Sequence, residues 1–239
     1  MPLQRMILPF SCFLLIAGWA LSVGAQSGVH RNTTHQLKSA FKNLERSGIN
    51  GDDETNRGPG ELAVATFGTG CYWCTEAIFE QLKGVKSVTS GFSGGVVPNP
   101  TYKQVLTGRT GHAEVVQIEY DPAEISFARL LEAFWLSHDP TTLNRQGPDV
   151  GTQYRSAIFY HDDRQREAAE RFKADLNQSK AFRKPIVTEV TPFQTFYPAQ
   201  AYHQDYFENN GRQPYCQFHI RPKLNKFKRV FREHIDLNQ

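Results

Sequence analysis

The chain carries little excess charge and no internal repeat, and each absence excludes a class of protein. Its 239 residues include 27 Lys and Arg against 24 Asp and Glu, which gives a formal net charge of +3. That charge is too small to indicate nucleic-acid binding, so we expect no nucleic-acid partner. The hydrophobic content of 39% indicates one substantial globular domain with tails, which we expect to be a monomer.

Cysteine is also scarce, and its number excludes a framework built from disulfides alone. Of the four cysteines, Cys12 lies in an N-terminal apolar run, which leaves Cys71, Cys74 and Cys216. An exported protein with an odd number of cysteines keeps at least one thiol outside structural disulfides. The sequence therefore predicts a working thiol.

The N-terminal run is typical of an export signal. Arg5 precedes an apolar stretch over residues 7–23, and Val23-Gly24-Ala25 provides small residues where a signal peptidase cuts. We predict a cleaved signal peptide over residues 1–25 and a periplasmic or secreted protein. The alternative is a membrane anchor formed by an uncleaved signal, because the run is near the lower length limit for spanning a bilayer.

Three segments follow the signal. Residues 26–60 are polar and rich in helix breakers, and we interpret them as a linker with one short helix. Residues 61–220 hold the strands and helices of the folded domain. Residues 221–239 form a basic tail whose apolar side chains have helical spacing, which predicts a helix docked by one face.

The order of elements in the central part indicates the fold class. Strands and helices alternate as β-α-β-β-α-β, which is typical of a ferredoxin-like two-layer sandwich, an α+β fold with helices packed on a mixed sheet. Two long loops rich in Gly and Pro interrupt this order at residues 94–102 and 139–153. The predicted strands cover residues 62–67, 85–91, 115–120, 156–160 and 186–190, and the predicted helices include residues 72–82, 163–176 and a segment capped by Ser126.

Cys71 stands where a strand, a glycine turn and a helix meet. Unpaired backbone N–H groups and the helix dipole at such an N-terminus favour a thiolate over a thiol. Tyr72 and Trp73 lie directly beside it and offer an apolar wall. Glu76 follows in the first turn, where we interpret it as a charge that complements the helix dipole.

The two long loops can bring acids and phenols to Cys71. The first contains Tyr102 and leads to Glu114, and the second contains Asp149 and Tyr154. A carboxyl group in a dry aromatic pocket has a raised pKa and can act as a general acid, while phenols donate hydrogen bonds. If the loops converge, the site can reduce an X=O group whose oxygen is protonated as the sulfur attacks.

Four motifs together resemble the peptide methionine sulfoxide reductase A family, in the same order over about residues 61–220. They are Gly70-Cys71-Tyr72-Trp73, Asn99-Pro100-Thr101-Tyr102, Gly111-His112-Ala113-Glu114 and Gly151-Thr152-Gln153-Tyr154-Arg155-Ser156. The resemblance implies reduction of methionine S-sulfoxide, in proteins or peptides and as the free amino acid. It also implies that no bound cofactor is needed, because a thioredoxin-like dithiol acts as the external reductant.

The resemblance further implies a division of roles. Cys71 would attack the sulfoxide sulfur and Glu114 would protonate the departing oxygen. Tyr102 and Tyr154 would hydrogen-bond that oxygen, and Asp149 would orient the polar cluster.

Two aromatic residues complete the implied site. Tyr72 and Trp73 would hold the substrate methyl group. The family more often has Phe at the position of Tyr72, and the extra phenol needs a hydrogen-bond partner when it is buried.

Attack would leave Cys71 as a sulfenic acid, which a second thiol resolves into a disulfide. Cys216, in Pro214-Tyr215-Cys216, resembles the family's C-terminal resolving position and is the favoured candidate. Cys74 is the alternative, because it lies one helical turn from Cys71, a separation that a disulfide can span. A relay, in which a Cys71–Cys74 disulfide forms first and is then transferred to Cys216, is a third route.

Two other functions use the same cysteines. Cys71, Cys74, Cys216 and His219 are a formally complete ligand set for a zinc-binding module. Zinc would occupy the nucleophile, however, and bulky residues between the first two ligands are unusual, so we expect no metal site. A general thiol–disulfide oxidoreductase is also marked by Cys-x-x-Cys at a helix start, but it leaves the other motif residues without a role.

Overall fold

The structure, a computed structural model, describes residues 31–52, 58 and 60–236. The signal peptide predicted over residues 1–25 lies outside the described residues, so both interpretations of it stay predictions. Among the described residues, no helix combines the length and the apolar character that crossing a membrane requires.

A mixed sheet forms the centre of the described part. Its four inner strands are antiparallel to one another, with one further strand added at each edge. The strands are β1 (Ala63–Thr69), β2 (Val85–Ser93), β3 (Ala113–Tyr120), β6 (Ser156–Tyr160), β7 (Glu189–Pro192) and β8 (Phe196–Pro198), while β4 (Arg145–Gln146) and β5 (Asp149–Val150) pair as a separate hairpin. The spatial order is β7-β6-β1-β3-β2-β8, with β7 parallel to β6.

Helices pack on this sheet, and the α+β fold class is as the sequence predicts. Ser126 caps one of them by accepting a hydrogen bond from the Arg129 N–H, also as predicted. The helices are α1 (Arg31–Arg46), α2 (Tyr72–Phe79), α3 (Tyr102–Leu106), α4 (Phe127–Ser137), α5 (Asp163–Gln178), α6 (Tyr206–Asn210) and α7 (Arg221–Val230).

The core lies between β1 and the helices α2 and α4. Phe67 on β1 is fully buried, and its ring centroid lies 5.6 Å from that of Phe79, 5.8 Å from that of Phe127 and 5.2 Å from that of Phe134. Tilted aromatic contacts at these distances are favourable beyond the area they bury. This cluster fixes the strand that ends immediately before Cys71.

The segment 26–60 contains more structure than the short helix expected within a linker. α1 spans 16 residues, and Leu37, Ala40, Phe41 and Leu44 form a buried stripe on it that packs on α4 and α5. The guanidinium of Arg129 lies 3.6 Å from the ring centroid of Phe41. α1 is therefore part of the packed core.

The basic tail begins with a tightly held turn. Cys216–Ile220 form a π-helical turn that leads into α7, and Cys216 is completely buried there. α7 packs on α2 and α4 and buries Leu224 and Phe227. This arrangement brings the C-terminal segment against the helix that Cys71 starts.

Candidate active site

Cys71 is the residue at which α2 begins. Gly70 before it has a φ of 102°, and a Cβ at this position would lie 2.6 Å from the Cβ of Gln146, so the turn requires glycine. The carbonyl of Cys71 accepts hydrogen bonds from the N–H groups of Cys74 at 3.1 Å and Thr75 at 3.4 Å. Its side chain is only 7% exposed.

Glu114 on β3 reaches the same helix start. It is 2% exposed, and its Oε2 accepts a hydrogen bond from the Tyr72 N–H at 3.2 Å. Burial raises the pKa of Glu114 to about 8, helped by the nearby Asp149 and opposed by the Tyr72 N–H. Near neutral pH the carboxyl group is therefore mostly protonated, as a general acid must be.

The loops carry the two phenols and Asp149 into the site. Tyr102 opens α3, which Thr101 caps by accepting from the Gln104 N–H at 3.3 Å. Tyr154 ends a 3₁₀ turn, and Asp149 starts β5 of the hairpin. Local capping and pairing thus hold these side chains on otherwise irregular loops.

A cavity of about 130 Å³ joins these elements. It collects every residue to which the sequence assigns a catalytic or methyl-binding role, and it adds Tyr215, to which no role was assigned. The Tyr215 hydroxyl donates a hydrogen bond to Oδ2 of Asp149 at 2.9 Å, and its place beside Cys216 is the sequence signal that could have found it. The cavity is lined by Cys71, Tyr72, Trp73, Tyr102, Glu114, Asp149, Tyr154 and Tyr215.

The phenols of the polar wall remain hydrogen-bond donors. Burial raises the pKa of Tyr102 to about 12, with a further rise from the nearby Glu114 carboxylate. The pKa of Tyr154 is raised for the same two reasons. Both hydroxyl groups are therefore protonated throughout the neutral range.

An aromatic wall faces the polar one. The ring of Trp73 stacks on that of Tyr206, with 3.6 Å between the ring centroids and 7° between the ring planes. It meets the ring of Tyr215 edge-on, with 5.8 Å between the centroids. Tyr72 packs against His203, with 5.4 Å between ring centroids. Within the described part of the chain, the buried hydroxyl of Tyr72 has no hydrogen-bond partner.

Burial changes the ionisation expected of the two neighbouring thiols. Removal from water raises the pKa of Cys71 well above its usual value, and Cys74 and Glu114 add to the rise. The pKa of Cys74 is lowered, because the Cys71 thiol hydrogen-bonds to it and Lys223 lies nearby, effects that outweigh its own burial. In the resting site the helix N-terminus therefore does not suffice to make Cys71 the thiolate, and Cys74 is the more acidic thiol.

Of the three thiols, Cys71 lines the cavity, whereas Cys74 and Cys216 lie behind it. All three are buried and outside any disulfide. Burial raises the pKa of Cys216, and the nearby Cys74 adds to the rise.

Glu76 is not the first-turn charge complementing the helix dipole that the sequence suggests, because it lies beyond the first turn of α2. It is 1% exposed, and its two carboxylate oxygens accept from the Ser90 hydroxyl at 3.0 Å and the Tyr206 N–H at 3.3 Å. Burial raises its pKa to about 7. Glu76 therefore joins α2 to β2 and α6, and it does not line the cavity.

The four residues of the zinc alternative do not converge. Among the described residues, one group of three or more His, Cys, Asp or Glu side chains brings its ligand atoms within 4.8 Å of one another. It consists of Glu76, Glu80 and Asp205. The set of Cys71, Cys74, Cys216 and His219 forms no such group in the described part of the chain, so its geometry does not favour a zinc-binding module.

The sequence is similar to one family throughout the folded part. Residues 63–235 match the model of the family described as peptide methionine sulfoxide reductase. A peptide methionine sulfoxide reductase MsrA of Natronomonas pharaonis is 52% identical over 174 residues, which cover 73% of this chain and 98% of that protein. One of Chromobacterium violaceum is 56% identical over 170 residues, 71% of this chain and 97% of that protein.

Solved structures agree with these relatives. Methionine sulfoxide reductase A of Corynebacterium diphtheriae is 38% identical with a TM-score of 0.58, over 69% of this chain and 82% of that one. Mxr1 from Saccharomyces cerevisiae in reduced form is 32% identical with a TM-score of 0.60, over 68% of this chain and 94% of that one.

Proposed function

The chain belongs to the peptide methionine sulfoxide reductase family and is a peptide-methionine (S)-S-oxide reductase, and we propose that Cys71 is its nucleophile and Glu114 its general acid. The observation that carries this proposal is the small cavity in which Cys71 and a mostly protonated carboxyl group lie between an aromatic wall and a polar wall. A methyl sulfoxide has one apolar and one polar substituent on sulfur, which match the two walls.

The walls define how the substrate binds. The methyl group lies against Trp73 and Tyr72, and the sulfoxide oxygen points to Glu114 and the hydroxyl groups of Tyr102 and Tyr154. This orientation turns the sulfur towards Cys71. The S epimer fits this arrangement, whereas the R epimer exchanges the methyl group with the rest of the chain and loses one of the two contacts.

The first chemical step transfers oxygen from one sulfur to the other. The Cys71 sulfur attacks the sulfoxide sulfur as Glu114 protonates the oxygen, so that an S–S bond forms and the bond between oxygen and the substrate sulfur breaks. The oxygen then returns, as water, to the Cys71 sulfur, which breaks the S–S bond, releases methionine and leaves Cys71 as a sulfenic acid. The substrate sulfur gains two electrons and the Cys71 sulfur loses two. The proton of the Cys71 thiol restores Glu114, so the step balances without a cofactor.

Asp149 and Tyr215 support this step from the rim. The Tyr215 hydroxyl donates its proton to Asp149, and this bond holds the phenol beside Cys71 and Cys74, on whose pKa values it has a lowering effect. Asp149 thereby positions a phenol that lines the same cavity as the reacting sulfur, and we assign it an orienting role.

The sulfenic acid is then resolved by one of two thiols. Cys74 or Cys216 displaces the oxygen as water and forms a disulfide, and a thioredoxin-like dithiol reduces that disulfide. We propose oxidised proteins and peptides as substrates, with free methionine sulfoxide accepted as well, and a monomer as the working form.

Export is the proposed setting of this repair. The predicted signal over residues 1–25 supports a periplasmic or secreted enzyme, and oxidation makes methionine polar and disturbs apolar cores. Mass analysis of protein from the native host tests this proposal: a mature chain that begins at Gln26 is expected. An intact N-terminus in the membrane fraction would instead favour the uncleaved anchor.

An epimer assay tests the proposed function. Peptides with S- or R-sulfoxide are incubated with enzyme and dithiothreitol, and methionine formation is followed. We expect turnover of the S epimer alone and none by Cys71→Ser, whose circular dichroism spectrum should match that of the wild type. Reduction of the R epimer alone, or of neither, contradicts the proposal.

A further inference from the structure

We propose that Lys223 is a positioning residue for the second half of the reaction, where it holds Cys74 as the thiolate that attacks the sulfenic acid on Cys71. The inference rests on the proposed function, because it requires that sulfenic acid. It makes Cys74 the first resolving thiol and leaves Cys216 to act afterwards.

The first observation is the contact between the two residues. Nζ of Lys223 lies 4.0 Å from Sγ of Cys74 and donates a hydrogen bond to it. Cys74 is 4% exposed, so the ammonium reaches a sulfur that water hardly contacts. Lys223 itself is half-buried, and a positive charge beside a sulfur removed from water favours the thiolate over the thiol.

The second observation is where the contact lies in the fold. Lys223 is in the first turn of α7, which packs on α2, and the buried Leu224 and Phe227 hold that helix in place. The lysine therefore comes from a fixed helix, and the C-terminal segment supplies a charge to the redox centre independently of Cys216.

Several titratable groups face Cys74, and they do not act in one direction. The Cys71 thiol lowers its pKa most, and Lys223 and the Tyr215 hydroxyl also lower it, while Asp149 raises it. The remaining neighbours are Glu114, whose pKa Cys74 raises, and Cys216, whose pKa it also raises. His138 lies close to Lys223, and burial lowers its pKa to about 4, so it is neutral near pH 7.

Oxidation of Cys71 makes Lys223 more important. The resting Cys71 thiol donates its S–H towards Cys74, whereas the sulfenic acid carries its proton on oxygen, the atom that leaves when Cys74 attacks. Lys223 is then the cation that stabilises the Cys74 thiolate while this oxygen departs. The lysine is thus needed at the stage where Cys74 must react.

The resolving step balances with groups already in the site. The Cys74 thiolate attacks Sγ of Cys71, the S–S bond forms as the S–O bond breaks, and the departing hydroxide takes a proton from Glu114 and leaves as water. The Cys71 sulfur gains one electron and the Cys74 sulfur loses one. Cys216 can then attack this disulfide by ordinary exchange.

A single-turnover experiment in the Cys216→Ser background tests the proposal. Fully reduced enzyme without reductant receives an S-sulfoxide peptide. Released methionine, sulfenic acid trapped by dimedone and loss of free thiols are followed from about pH 6 to about pH 9.5. Lys223→Met is expected to slow disulfide formation about fivefold near pH 7 and to raise the midpoint of its pH profile by about one unit, because an opposite charge near a thiolate is removed.

Matched variants separate this role from a structural one. Lys223→Arg should restore the wild-type pH profile, and Lys228→Met, on the same helix, should leave it unchanged. The sulfenic acid should accumulate in Lys223→Met, and the methionine yield should stay at one equivalent. Near pH 9.5 the variant and the wild type should form the disulfide at similar rates.

Three results would overturn the proposal. The first is a wild-type pH profile in Lys223→Met, and the second is a lower methionine yield in that variant. The third is a first disulfide, in the chain with all its cysteines, that joins Cys71 to Cys216 and leaves Cys74 free. A wild-type enzyme that releases no methionine at all would overturn the proposed function itself, and this inference with it.

Discussion

At the scale of single residues, burial determines the pKa values in this site more than position in a helix or strand does. Glu114 has a raised pKa because it is removed from water, although an N–H of α2 opposes that rise. Cys71 stands at the N-terminus of α2, yet burial raises its pKa as well. In the proposed mechanism, the acid is therefore protonated before substrate binds, whereas the nucleophile loses its proton during the attack.

Replacement of the acid tests the first part of that statement. Glu114→Gln keeps the shape of the side chain but removes its acidic proton, so methionine release in a single turnover should fall by about 10²- to 10⁴-fold. In the wild type the same rate should decline as the pH rises through about 8, where Glu114 ionises. A variant that retains more than about a tenth of the rate would contradict the assignment.

The same substitution should stabilise the fold. In the unfolded chain Glu114 ionises near its ordinary pKa of 4.5, but in the folded protein it stays neutral up to about 8. The free energy of unfolding of the wild type therefore falls, relative to that of Glu114→Gln, as the pH rises from about 4.5 to about 8. The increase in melting temperature of Glu114→Gln over the wild type should therefore be larger near pH 8 than near pH 5.

Tyr72 carries a second residue-scale prediction, because its buried hydroxyl has no partner among the described residues. Tyr72→Phe removes a desolvated polar group and should raise the free energy of unfolding by about 1 kcal/mol, without raising KM for a sulfoxide peptide. Urea titration and steady-state kinetics measure the two effects. Loss of stability or a clear rise in KM would mean that the hydroxyl contributes to folding or binding.

At the scale of elements, the sequence predicts best what local pattern determines. The strand, glycine turn and helix around Cys71 follow from Gly70 and the apolar run before it, and the Ser126 cap of α4 follows from side-chain chemistry. The burial of Glu76 could not be predicted from its helix position, because the Ser90 hydroxyl and the Tyr206 N–H come from distant parts of the chain. The same holds for the contact of Lys223 with Cys74.

The packing of α1 gives the element-scale prediction. Phe41 is 4% exposed and lies under the Arg129 guanidinium, so Phe41→Ala should lower the free energy of unfolding by about 3–5 kcal/mol. Asn43→Ala, exposed on the same helix, is the control and should change it by less than about 0.5 kcal/mol. Equal effects in the two variants would show that α1 contributes little to the core.

For the whole molecule, the α+β class and the convergence of the two loops could be predicted, because four motifs in one order resemble a family whose fold joins them. The motifs do not contain the information that α1 belongs to the core, since residues 26–60 are polar on average and only their 3.6-residue periodicity marks a buried stripe. The motifs also do not indicate which of the two candidate resolving thiols reacts first. In our proposal that order depends on charges that tertiary packing brings together.

We propose that Cys71 carries out the first half of the reaction without another thiol and with Glu114 as its acid, and one single-turnover measurement tests this directly. The Cys74→Ser/Cys216→Ser double variant receives an S-sulfoxide peptide without reductant, and methionine and dimedone-trapped sulfenic acid are quantified by mass spectrometry. We predict one equivalent of methionine and one sulfenic acid, located on Cys71. Absence of methionine from this variant, or its release by a Cys71→Ser enzyme, would contradict the account.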